Sequence, residues 1–570
     1  MTSIKRLFIS LILVMTVITS FAIPAKPGQW SNITLADGTT IRVQVVGDEH
    51  GHYLMAEDGT TYQMIDSNYV RTDVTQLIKK ARTRRAQANA RCATNMQKQA
   101  SMSSDKTNTY IGERKGLVIL VEYTDVKFKT TNNKIKFNNI FNKKNYVTSE
   151  GFVGSVKDYF TAQSNGLFTL DFDVLGPVQL AHKMKYYGEN DKDGNDMRPE
   201  EMVIEGCKAI NSQVNFADYD WDGDGKVDQV YVIYAGYQEC DTYDKKPDTV
   251  WPHKWWISAA TGKPLMLDGV AIDTYACGGE LAENGNIDGI GTICHEFSHC
   301  LGFPDTYDTT GGTSSMGDWD VMCNGSYNGN GFCPPNYSAF QKMLLGWLNP
   351  IEITTDTLIS NVLPTAEGGN AYKLVNSGYP DEYFLIENRQ MKGWDKELPG
   401  KGLMINYIDY DKTLWEFNMM NTCGNYADIN GYTPDDPNYD FYHAISNDHH
   451  RIALFCANNK TDYSSAGNLY PYLRKNSLTP RSKPASKLYH ENSLGTMFMD
   501  LSILDITQNV DGTMSFRTAA EQSQPDAILQ TSAKPAAVTG IYTLDGRYVG
   551  NDIHTLKHGM YLVNGRKVIK

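Results

Sequence analysis

The residues best placed to do chemistry lie in one run, Cys294-His295-Glu296-Phe297-Ser298-His299-Cys300-Leu301-Gly302-Phe303-Pro304-Asp305. Read as a helix, this run stacks His295 and His299 one turn apart on one face. Two imidazoles so spaced can hold one zinc ion. Glu296 is turned only about 100° from His295, so its carboxylate can reach a water on that metal. Gly302 can take the left-handed conformation that ends a helix. Pro304 stiffens the turn that brings Asp305 back as a third ligand. Three protein ligands leave a fourth position for water, as a catalytic zinc site requires.

The elements that must carry this site are legible in outline. Ile290, Ile293, Cys294, Phe297 and Leu301 recur at helical spacing and give the motif helix an apolar face. Leu117 to Val121 is a continuous apolar run, the mark of a buried strand. A helix should follow, with Phe152, Val156, Tyr159 and Phe160 on one face. Phe168 to Val174 alternates as a half-buried strand, and Val230 to Ala235 reads as another central strand. The order strand, helix, strands, motif helix is that of a mixed α+β catalytic domain, set here at residues 110–350. Downstream, Met322 precedes Asn324-Gly325 and is the candidate for a Met-turn, the methionine turn that lies under the metal in proteins with the extended zinc motif. Tyr327 is a candidate to stabilise an oxyanion.

A second metal signal precedes the motif. Asp220-Trp221-Asp222-Gly223-Asp224-Gly225-Lys226-Val227-Asp228 places alternate carboxylates around a glycine turn. Asp220, Asp222, Asp224 and Asp228, with the Lys226 backbone carbonyl, match the ligands of a calcium loop. Position twelve is Tyr231 rather than Glu, so a complete EF-hand is not expected. Asp191, Asp193 and Asn195 form a weaker second candidate. His449 and His450 are adjacent, and on a strand adjacent side chains face opposite ways, so they read as structural.

The N-terminus reads as an export signal. Lys5 and Arg6 precede the apolar run Leu7 to Val17, and Ser20-Phe21-Ala22 supplies the small residues a signal peptidase reads. Residues 1–22 are assigned to this signal, with the mature chain beginning near Ile23. The run is too short to span a bilayer comfortably, so no transmembrane span is expected and the protein is placed outside the cell or on its outer surface. Residues 23–109 read as a β-rich, propeptide-like region with turns at Asp37-Gly38 and Asp58-Gly59. It ends in a basic helical stretch, Leu77 to Arg91, read as a solvated helix face or as a site open to a trypsin-like protease, and a polar linker. Cys92 is a candidate zymogen thiol, because a thiolate can fill the fourth position of a zinc site; the alternative is a buried or disulfide-bonded cysteine. Asp58 could serve as a blocking carboxylate instead. The chain has ten cysteines, and export permits disulfides; Cys294 and Cys300 face different ways and should not pair.

Residues 351–520 read as a β-rich, sandwich-like module, 521–537 as a linker, and 538–570 as short strands around D-G and N-G turns. The chain has 570 residues, 41% of them hydrophobic and 21% charged, and a net charge of −13. That length allows several domains, and the acidic balance opposes nucleic-acid binding.

The ordered combination HEFSHCLGFPDTYD, GDWDVM and YSAFQKMLLGWLNP resembles the immune inhibitor A-like zinc metallopeptidases. So do VWPHKW, DYDWDGDGKVD and EYFLIENRQMKGWDKELPGKGLMINYID. The resemblance covers roughly residues 110 to 520. It implies a zincin-like fold and a secreted zymogen endopeptidase acting on protein or peptide substrates. It also implies His295, His299 and Asp305 as zinc ligands and Glu296 as catalytic base. Asp305 stands where metzincins use His. The tail is similar to type IX secretion sorting tails, which implies attachment to the cell surface. The competing expectation is an adhesin or glycan-binding protein that keeps a protease-like fold with a structural zinc; such a zinc should have four protein ligands, and the motif offers three.

Overall fold

The structure is a computed structural model that describes residues 23–48, 51–65, 68–75, 109–191, 195–242, 248–310, 315–430, 432–435, 439–520, 540–543, 547–563 and 566–570. The export signal, the basic stretch, Cys92, Asp193 and both expected linkers lie outside these residues.

The first described elements form an antiparallel meander of five strands: β1 (Trp30–Thr34), β2 (Thr40–Asp48), β3 (Gly51–Ala56), β4 (Thr61–Ile65) and β5 (Asn68–Arg71). Each strand pairs with the next. Ile33, Val43, Leu54 and Tyr62 alternate onto one face and make a small core of their own.

The site is carried by a second sheet. Its strands are β6 (Gly112–Glu122), β7 (Phe168–Gln179), β8 (Tyr231–Tyr237), β9 (His253–Trp256) and, after a small hairpin of β10 (Leu265–Leu267) and β11 (Val270–Ile272), β12 (Thr274–Leu281). The order is β7-β6-β8-β12-β9. All neighbours are parallel except β9, which runs antiparallel at the edge. β6 is buried from Gly116 to Val121, as its apolar run predicts, because both faces are covered. Val118 and Leu120 pack with Phe160, Ile293 and Phe297 on one side. Leu117, Ile119 and Val121 pack with Met202, Val203, Cys207 and Ile210 on the other. Each such side chain contributes roughly 1.5–3 kcal/mol of burial.

The helices on these faces are α1 (Asn133–Asn142), α2 (Val156–Gln163), α3 (Pro199–Ile210) and α4 (Gly291–Cys300). The expected helix at Phe152 begins later, at Val156. Ser155 and Asp158 form a reciprocal cap there, Ser155 Oγ accepting from the Asp158 amide at 3.0 Å and Asp158 Oδ2 from the Ser155 amide at 2.9 Å. Phe152 instead precedes the cap and packs edge-on to Phe332.

α4 carries the motif. Its residues Gly291 to His299 are all buried, so it is a core helix rather than one with a wet face. It starts where the chain passes tightly under the Ser326 carbonyl: a Cβ on Gly291 would lie 1.8 Å from that oxygen. It ends at Gly302, whose φ of +99° is the left-handed turn expected.

Beyond α5 (Ala339–Leu344), the β-rich region forms two sheets. One has the order β13-β15-β16-β17-β20 and the other β14-β22-β21. Here β13 is Ile351–Glu352, β14 Thr357–Val362, β15 Tyr372–Val375, β16 Glu382–Arg389, β17 Gly402–Asp409, β20 Ile452–Leu454, β21 Leu501–Gln508 and β22 Met514–Ala520, with a two-stranded pair β18 (Gly424–Asn425) and β19 (Ser446–Asn447) between. β16 and β17 are buried along their whole length. Tyr383, Leu385, Met404 and Ile408 share one core with Cys294 and Phe297 of α4. The described residues up to Thr518 accordingly form one compact unit. The second unit holds a four-stranded antiparallel sheet, in the order β24-β23-β25-β26, built from β23 (Ile541–Thr543), β24 (Tyr548–Gly550), β25 (Met560–Val563) and β26 (Arg566–Ile569). Among the described residues no helix is long and apolar enough to cross a membrane.

Replacing Gly291 by Ala forces either the helix start or the Ser326 carbonyl to move. The substitution is expected to lower the melting temperature by at least about 5 °C. An unchanged melting curve would show that the start of α4 is free to shift.

Candidate metal centre

α4 brings His295 and His299 together, and the Gly302 turn returns Asp305 to them. The two Nε2 atoms lie 3.0 Å apart. Asp305 Oδ1 lies 3.4 Å from each. All three side chains are buried. The rings are held from behind. His295 Nδ1 donates to the Val321 carbonyl and His299 Nδ1 to the Phe303 carbonyl, each at 2.7 Å. A carbonyl can only accept, so each Nδ1 carries the proton and each Nε2 of the neutral ring carries a lone pair.

The consequence is a cluster of acceptors. Two imidazole lone pairs face each other, and Asp305 Oδ1 beside them is buried with no hydrogen-bond donor. Only a cation satisfies all three, and two His with one Asp is a donor set suited to zinc. The residues present therefore fit a metal. Burial pushes the His299 imidazole below its ordinary value, with the Asp305 charge opposing this only in part. The ring stays neutral, the form that binds metal.

Asp305 is fixed by the β-rich region. Its Oδ2 accepts from Asn418 Nδ2 at 3.0 Å, and its amide donates to Asn418 Oδ1 at 3.0 Å. Asn418 follows the short helix α6 (Lys412–Glu416). No sequence signal marked it, since it lies 113 residues from its partner. Asn421 adds a bond from its Nδ2 to the Thr306 carbonyl at 2.7 Å.

Glu296 is fully buried on the same helix. Its Oε1 accepts the backbone N–H of Ile23 at 2.7 Å. Ile23 is itself buried, in one cluster with Ala25, Cys240 and Trp251. Its carbonyl accepts from Trp251 Nε1 at 3.0 Å. Tyr327, a candidate for the oxyanion, donates instead to the Pro24 carbonyl at 2.6 Å. Met322 is buried in the main core. Its carbonyl accepts the Thr306 amide at 2.9 Å, and its neighbour Val321 is the residue that orients His295.

In the upstream acidic loop, Asp220, Asp222 and Asp224 bring one carboxylate oxygen each within 4.8 Å of the others. Asp220 Oδ1 accepts from the amides of Gly223 and Asp224, and Oδ2 from that of Gly225. Asp228 Oδ2 takes the Trp221 amide at 2.5 Å. Lys226 Nζ lies 3.4 Å from Asp224. Trp221 between them packs against Phe168 and Phe297. In the weaker candidate, both Asp191 oxygens accept from Asn195.

A further trio, Glu382, Asp409 and His490, was not expected from sequence. Glu382 already accepts four hydrogen bonds, from Tyr407, Asn376 and the amides of Tyr489 and His490. Arg451 lies 2.6 Å from Asp409. This is an ion network that ties β16 to β17. His449 belongs to it, 3.0 Å from Asp409, whereas His450 meets Ser315; the two histidines do face different ways. The nine cysteines among the described residues are unbridged.

If Asn418 holds Asp305 in place, Asn418→Ala should weaken metal binding by about 10-fold or more, read by competition against a chromogenic chelator. Unaltered affinity would show that Asp305 needs no support.

Residues 105–348 match the family model described as immune inhibitor A peptidase M6, catalytic domain. Immune inhibitor A of Bacillus thuringiensis subsp. alesti is 28% identical over 320 residues, covering 47% of this chain and 45% of that protein. The pre-pro-metalloprotease PrtV of Vibrio cholerae serotype O1 is 26% identical over 254 residues, covering 38% of this chain and 27% of that one. A putative secreted metallopeptidase of Arthroderma benhamiae is 24% identical over 206 residues, covering 31% and 30%. The chain thus spans less than half the length of each of these relatives. The segment that holds the site, residues 105–348, matches the catalytic domain of the immune inhibitor A peptidases, and the relatives support a metalloprotease.

Proposed function

We propose that the protein is a secreted zinc-dependent endopeptidase made as a zymogen, with His295, His299 and Asp305 as metal ligands and Glu296 as catalytic base. The observation that carries this reading is the Glu296 carboxylate beside a trio of converged acceptors and facing an amide nitrogen at 2.7 Å. Zinc held by the trio would supply Lewis acidity and a water of lowered pKa. Glu296 accepts the proton of the attacking water and passes it to the leaving nitrogen. Its burial keeps bulk water from competing for that proton. Met322 sits on the turn that presents the Val321 carbonyl to His295.

Latency is assigned to the segment that begins at Ile23. Residues Ile23 to Ala25 fill the space in front of Glu296, so a substrate cannot enter while they remain. Cleavage of an export signal after Ala22 would leave a free amino group against that carboxylate. His52, on β3, adds a second contact, stacking on Trp251 at 4.7 Å and lying 3.6 Å from Glu239. Removal of residues 23–109, by cleavage in or after the basic stretch Leu77 to Arg91, would open the site. A Cys92 switch is not needed for this. Secretion is supported by the printed name of one relative, a putative secreted metallopeptidase. The tail, 538–570, is assigned to surface attachment.

Calcium is proposed for the loop Asp220 to Asp228, with a structural role. A bound ion would fix Trp221 against Phe297 of α4 and so stiffen the site from below.

Glu296→Gln should retain the metal and lose activity by roughly 10²–10⁴-fold. Retained proteolysis in this variant would remove the base assignment. Calcium chelation should lower the melting temperature of the full chain by several degrees, and Asp222→Ala should abolish that shift. Identical melting with and without calcium would leave the loop as a solvated turn.

A further inference from the structure

Residues 23–29 lie in the site as a peptide would, and their contacts mark what the site accepts. This inference rests on the peptidase reading above. Glu296 is the group that returns a proton to the leaving nitrogen. The Ile23 nitrogen lies 2.7 Å from it, so it stands where that nitrogen stands in a substrate. Ile23 then occupies the position of the residue just after the cleaved bond, and Pro24 to Lys26 occupy the next three.

Two side chains of the catalytic region grip this backbone without regard to its sequence. Trp251 Nε1 donates to the Ile23 carbonyl at 3.0 Å, and Tyr327 Oη to the Pro24 carbonyl at 2.6 Å. The side chains are read differently. Ile23 is entirely buried, and its cluster is walled by Cys240, Trp251 and Tyr327. An apolar wall of fixed size rejects charge outright and discriminates among aliphatic residues by fit. Lys26 is half-buried, with Nζ 5.8 Å from the centre of the Tyr327 ring. Nearby, Gln238 Nε2 bridges the buried Asp241 and the half-buried Asp288, at 3.1 Å to each. Gln29 extends the contact, its Nε2 donating to the Asp241 carbonyl at 3.3 Å.

We propose that Trp251 and Tyr327 position the substrate backbone after the cleaved bond, and that the wall of Cys240, Trp251 and Tyr327 selects a branched aliphatic residue directly after that bond. Ile23 itself fits this pattern.

The test is a degenerate peptide library digested by the zinc-loaded, trypsin-activated chain, with cleavage sites read by mass spectrometry. Ile, Val or Leu should be enriched at least ~10-fold over Asp or Gly just after the cleaved bond. Tyr327→Phe, with an unchanged melting curve, should raise KM about 5-fold with kcat little altered. Cleavage with no preference just after the cleaved bond would overturn the subsite assignment while leaving the peptidase reading intact. No cleavage of any peptide would overturn both.

Discussion

Two imidazole lone pairs that face each other at 3.0 Å set the terms for the rest of the molecule. Neither ring can turn away, because each is tied through Nδ1 to a backbone carbonyl. The arrangement is repulsive on its own and is relieved by a cation. Holding it therefore requires a rigid frame, and the frame is visible on every side. α4 is buried along its length between the parallel sheet and the β-rich region. Its start is wedged against the Ser326 carbonyl, where only glycine fits, and its end is turned by Gly302. Val321 and Phe303, which supply the two carbonyls, lie on the chain segments that pack against it.

The β-rich region belongs to this frame. Asn418 grips Asp305 through both its oxygen and its nitrogen, and β16 and β17 share a core with α4. The third acceptor is thus positioned by residues more than a hundred places away in sequence. A separate recognition module would leave the site intact when removed; this one would release Asp305. The segment at Ile23 meets the site from elsewhere in the chain, its amide donating to Glu296; in the proposed reading this links the N-terminal segment to access.

Much of this was legible in the sequence where the signal is local. The apolar run at Leu117 to Val121, the alternation after Phe168 and the run at Val230 to Ala235 all appear as strands where their patterns place them. The spacing of His295, His299, Gly302 and Asp305 folds to one point because a helix and a single left-handed turn fix it. The helix α1 was not legible: its sequence, rich in Asn and Lys, buries only Phe137, Ile140 and Phe141. The antiparallel edge strand β9 was hidden in a Trp-rich stretch with no alternation. Asn418 and Ile23 were beyond reach for a simpler reason. An asparagine in a loop and an isoleucine after an expected export signal have no local pattern, and their roles arise only when distant segments meet. The basic stretch and Cys92 lie outside the described residues, so the thiol remains an expectation from sequence.

The central claim, a zinc peptidase closed by its own N-terminal segment, is tested most directly by one sample measured twice. Zinc content and casein hydrolysis are determined on the full chain before and after limited trypsin. The account predicts about one zinc per chain in both states, with hydrolysis appearing only after cleavage between Lys79 and Arg114. Zinc without hydrolysis after that cleavage would contradict it, and would point to a binding protein built on a protease fold.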